Sequence, residues 1–152
     1  MATVELTFSA LPAHVRTARL IATAVARRAG VSEDLLDEVR LAVGEACSRA
    51  VEAHRLHCPD EPIRIELCDD SGRFEVTVID VAPSEDADLA ERPEPEKASA
   101  NGHELSGLLP DMSDLGLAVI AGLADDVEVI PSAKGVRVKM SWPAVNGLPS
   151  TT

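Results

Sequence analysis

Leu41–His54, LAVGEACSRAVEAH, is the stretch on which the fold turns. Ala42, Val43, Ala46, Ala50 and Val51 recur at three- and four-residue steps, the period of a helix that packs closely on a neighbour. Glu45 and Arg49 interrupt the pattern four positions apart, so at 3.6 residues per turn they share one face. The plain expectation is an ion pair between them, and charges beside so apolar a face also border sites.

Upstream of that helix, Val4–Leu11 alternates like a half-buried strand and stops at Pro12. From Ala13 to Ala29, Val15, Ala18, Ala22, Val25, Ala26 and Ala29 recur at helical spacing, with Arg16, Arg19, Arg27 and Arg28 on a basic exposed side. Gly30 ends this helix, and Ser32 is placed to cap the next, with Glu33 and Asp34 at the positive end of its dipole. Downstream, Ile63–Asp69 and Arg73–Val81 alternate about Asp70-Ser71-Gly72, which spells a β-hairpin.

Ala82–Met112 holds eight acids, two bases and four prolines with no sustained period, and is expected to form a long acidic loop, lid-like in length. Ser113 or Asp114 then caps a helix over Leu115–Ala124, with Leu117, Ile120, Ala121 and Ala124 facing inward. Val127–Ile130 and Val136–Trp142 read as a closing hairpin, and the tail from Pro143 as frayed. The order β-α-α-β-β-loop-α-β-β implies an α+β fold: a two-layer sandwich with helices on one face of a mostly antiparallel sheet. One domain over 1–143 with a flexible 144–152 tail suits a chain of 152 residues.

Composition excludes several functions. Twenty-six acids against 14 bases give a net charge of −12, the wrong sign for gripping a phosphate backbone, so no nucleic acid is expected. No apolar run approaches the roughly 20 residues of a membrane span, and MATVELTF is unlike a signal peptide, so the chain is expected to be cytoplasmic. Cys47, Cys58 and Cys68 lack CxxC spacing, and His54, His57 and Cys58 have no second pair of ligands, so no metal site is expected. Ser48 and Ser84 show no partner spacing that supports a nucleophile.

The element order, together with LAVGEACSRAVEAH, VIDVAPSED and DLGLAVIAGLADDVEV followed by KGVRVKMSW, resembles the anti-sigma-factor serine kinases of the GHKL, histidine-kinase-like, ATPase superfamily. The resemblance implies that Glu45 stands where the family's general base acts on the attacking hydroxyl. It also puts Arg49 in place of the Asn that holds Mg²⁺ on ATP. A guanidinium has donors and no acceptor, so it cannot ligate a cation. Asp80 matches the acid that binds the adenine amino group, whereas Ala82 and Ser84 replace the glycines of the family's Asp-x-Gly-x-Gly. In the lid-edge motif Gly116 remains and Asp114 replaces the earlier glycine, while Val136 stands where the family often has a Thr near the adenine.

Two functions follow. The favoured one is a binding module that sequesters an RNA polymerase sigma factor, is countered by a STAS-domain antagonist, forms a homodimer, and needs no cofactor because its nucleotide site is degenerate. The alternative is an active serine kinase using ATP and Mg²⁺, with Arg49 on phosphate, which keeps an enzymatic role open. Arg16 and Arg19 are the candidate partner-binding residues.

Overall fold

In the computed structural model, which describes residues 2–82, 112–132 and 134–144, the elements run β1 (Ala2–Phe8), α1 (Pro12–Ala29), α2 (Glu33–His57), β2 (Ile63–Asp70), β3 (Arg73–Ile79), α3 (Met112–Leu123), β4 (Asp126–Ser132) and β5 (Gly135–Pro143). The strands form one sheet in the order β1-β2-β3-β5-β4, every neighbouring pair antiparallel. This is the α+β architecture that the alternation and helical spacing imply.

One sheet face is buried. Ile63, Ile65 and Leu67 of β2 and Phe74, Val76 and Val78 of β3 are on it, as period-two alternation requires. α2 lies at the centre of the helical layer, packed between α1 and α3, and its Ala42, Val43, Ala46 and Ala50 are fully buried. Small side chains on α1 and α2 let the two helices approach closely. Trp142, the sole tryptophan, is buried against Phe74 with ring centroids 6.3 Å apart and donates its indole N–H to the Leu123 carbonyl.

Several boundaries differ from those expected. β1 ends at Phe8, opposite the first residue of β2, because no partner backbone remains for Ser9–Leu11. Pro12 opens α1, where its missing N–H costs no hydrogen bond. Ser32 occupies the cap position of α2 with extended backbone, but its hydroxyl makes no capping bond. Ser113 and Asp114 lie within α3 rather than before it, and Ala121 faces outward while Ile120 is buried.

The β2–β3 turn has Ser71 at φ 51° and Gly72 at φ 81°, the two positive angles of a type I′ hairpin. The expected acidic loop is trimmed at both ends: Ala82 is buried and Met112 starts α3, while the rest of it lies outside the described residues. The tail is also shorter than expected. β5 runs to Pro143, and Ala144 is buried with its N–H bonded to the Gly72 carbonyl at 2.8 Å.

Candidate functional site

β3 is the middle strand, so its C-terminal end has neighbours on both sides, and it delivers Asp80 into that junction. Asp80 Oδ1 accepts the backbone N–H groups of Ala82 at 3.2 Å and Val136 at 3.1 Å. Its own N–H donates to the Val136 carbonyl at 3.1 Å. Oδ2 faces Arg49 Nη1 at 3.2 Å, with the two side chains 2% and 8% exposed respectively. Both carboxylate oxygens are therefore satisfied within the protein. Arg49 Nε is buried with no hydrogen-bond partner among the described residues.

This corrects the expected Glu45–Arg49 pair. An i,i+4 pair forms when both groups stay on an exposed helix face. Arg49 instead points into the interior, where a buried guanidinium requires a carboxylate that shares its burial. Glu45 makes no hydrogen bond or ion pair with another described residue.

Two further residues fix the junction. His54, fully buried on α2, accepts the Val81 N–H at Nε2 over 3.0 Å, so Nδ1 carries the proton donated to the Glu61 carbonyl at 2.8 Å. Gly135 has φ 140°, and a Cβ there would overlap the Asp80 carbonyl group. Nearby, burial first, then the carboxylates of Glu61 and Asp80, push the Cys58 thiol above its ordinary pKa of 9.0.

Of the residues singled out in the sequence, Arg49, Asp80, Ala82 and Val136 meet at this junction, the last two through backbone N–H groups. Glu45 lies elsewhere, in a groove of about 450 Å³ between α1 and α2 that also contains Arg16 and Arg19. Ser84 lies outside the described residues. Asp114 and Gly116 sit in α3, and the surroundings of both positions likewise lie outside the description. Among the described residues, no group of three His, Cys, Asp or Glu side chains could hold a metal, and no helix is long and apolar enough to cross a membrane.

The histidine kinase-like ATPase domain matches residues 8–142. The chain belongs to that family. Within this histidine kinase-like ATPase family, the serine-protein kinase RsbW of Bacillus velezensis is 32% identical over 143 residues, 91% of this chain and 83% of the relative. The RsbW of Bacillus subtilis is 30% identical over 140 residues with the same coverage. A solved structure of the RsbU and RsbW domains of a Mycobacterium tuberculosis protein superposes with a TM-score of 0.64 at 16% identity. That likeness covers 95% of this chain and 33% of the other, so the chain spans about a third of that longer protein and shares its fold.

Sequence reasoning weighed His54 only as a metal ligand and missed its bridging role, because its burial on a polar-looking helix end shows only in three dimensions. It also missed Glu52 and Arg55 of the groove. A signal for the latter two was present: positions 41, 45, 48, 52 and 55 of α2 follow helical three- and four-residue steps along a single face.

Proposed function

We infer that this protein is an anti-sigma-type regulator. It binds and sequesters an RNA polymerase sigma factor, is displaced by a STAS-domain antagonist, and works without competent ATP chemistry. The kinship to RsbW proteins supports the regulatory role. The observation that carries the loss of ATP chemistry is the Asp80 carboxylate: the adenine amino group would need an acceptor there, and Arg49 with two backbone N–H groups takes three of its roughly four acceptor positions and leaves it 2% exposed. Arg49 also puts positive charge where a magnesium ligand is required. These residues do not fit a magnesium nucleotide.

Arg16 and Arg19, in the α1–α2 groove, are the proposed partner contacts, and the protein works in the cytoplasm as a homodimer. One observation favours the kinase alternative. Glu45 is unpaired among the described residues, as a general base would be.

Isothermal titration with ATP and Mg²⁺ separates the two functions. No detectable binding is expected, and micromolar, Mg²⁺-dependent binding would overturn the degenerate-site assignment. A pull-down from bacterial lysate should recover a sigma factor or a STAS protein. Recovery of neither would remove the partner assignment.

A further inference from the structure

The α1–α2 groove brings together charges of both signs that do not pair. Arg16 and Arg19 come from α1, and Glu45, Glu52 and Arg55 from α2, with the Ser48 hydroxyl between the two acids. None of these six side chains makes a hydrogen bond or ion pair with another described residue. Elsewhere Arg27, Arg40, Arg49, Arg64 and Arg73 each have a carboxylate within 4 Å. Opposite charges held in one groove without pairing are open to an incoming group of complementary charge.

Gly44 makes room for Arg19 on the α2 side of the groove. A Cβ at Gly44 would meet Arg19 Cδ at 2.6 Å, so the stem of Arg19 lies across the bare backbone of α2. The Nε of Arg19 is buried there with no hydrogen-bond partner among the described residues. The contact at Gly44 restricts the stem of Arg19, which lowers the ordering cost of binding.

We propose that this groove is a recognition site for a protein segment carrying an acidic and a basic side chain together: Arg16 and Arg19 take the acid, and Glu45 and Glu52 take the base. Glu45 is a recognition residue here, and Gly44 a positioning residue for Arg19. This rests on the function proposed above, that the chain acts by binding a protein partner. It adds the chemistry of the bound segment, which charge complementarity with the groove dictates.

The test is a selection of random peptides displayed on phage against the full chain and against Glu45→Lys and Arg19→Glu. The wild-type chain should enrich peptides with an acid and a base at a fixed spacing. Glu45→Lys should lose the basic position and keep the acidic one, and Arg19→Glu should do the reverse. If Arg19→Glu does not fold by circular dichroism, Arg16→Glu takes its place. Gly44→Ala should weaken the selected peptides about tenfold while the melting temperature does not fall. Enrichment of acid-only peptides, a peptide set indifferent to Glu45→Lys, or no enrichment at all would overturn the proposal. Failure of the lysate pull-down alone would remove the named partners and leave the groove's preference standing.

Discussion

Arg49 and Asp80, 31 positions apart in the chain, form an ion pair at 3.2 Å that is almost closed to solvent. It joins the middle of α2 to the end of the central strand. A pair of this kind is strongly felt when one member is removed, because the other is left charged in a low dielectric. Arg49→Ala and Asp80→Ala are each expected to cost about 3–5 kcal/mol, and the double variant less than their sum. Urea unfolding followed by Trp142 emission measures all three. Single costs below about 1 kcal/mol would show that the pair is not a structural clamp.

Two glycines should respond oppositely to alanine. At Gly135 the added methyl runs into the backbone of Asp80 at a φ of 140°, so Gly135→Ala should lower the melting temperature steeply or prevent folding. At Gly122, inside α3, nothing among the described residues lies within 4 Å of the new Cβ. Gly122→Ala is expected to stabilise by about 0.5–1 kcal/mol. Calorimetric scans of the two variants suffice.

His54→Leu keeps most of the volume and removes both hydrogen bonds, leaving the Val81 N–H and the Glu61 carbonyl without their partner. A loss of about 2–5 kcal/mol is expected. Hydrogen exchange at the Val81 amide should accelerate by at least the global loss of stability; unchanged protection would mean the bond to Nε2 contributes nothing.

Burial pushes the Cys47 thiol up to about 12 from 9.0, the nearby positive Arg19 opposing it only in part. The folded chain keeps this proton where the unfolded chain loses it, above pH of about 8.5. Stability tied to Cys47 is therefore complete at neutral pH and falls as pH rises from about 9 towards 12, by up to roughly 1.4 kcal/mol per pH unit. Cys47→Ala should flatten that part of the curve. At pH 8, iodoacetamide should reach Cys47 only after unfolding, and rapid native labelling would contradict its burial.

Most of the architecture was legible from local rules. The three helices and the two hairpins, at β2–β3 and β4–β5, follow from apolar spacing and from turn residues such as Ser71-Gly72. What local rules could not supply was the partner of Arg49. Within LAVGEACSRAVEAH the acid four residues N-terminal to Arg49 is Glu45, and helical geometry favours that order over Glu52 three residues on. Burial reversed that preference by turning Arg49 towards a strand end far along the chain. Ser32 is the same lesson on a smaller scale, a capping residue in the capping position whose hydroxyl makes no capping bond. The groove was half legible, since Arg16 and Arg19 stood out as a basic side of α1, whereas the facing stripe of α2 gains meaning only once the helices are packed.

The bonds around Asp80 also set an order of assembly. Arg49, His54, Val81 and Ala82 all precede β4 and β5, so a nascent chain can form the Arg49 contact and the His54 bridge as soon as its first half is made. The two bonds with Val136 must wait for the closing hairpin, which joins β3 across a long span of sequence. β5 thus serves as the keystone of the sheet. Its arrival adds the Val136 N–H to a carboxylate already held by Arg49 and Ala82 and gives the Asp80 N–H its acceptor, so it couples the finishing of the chain to the locking of its core.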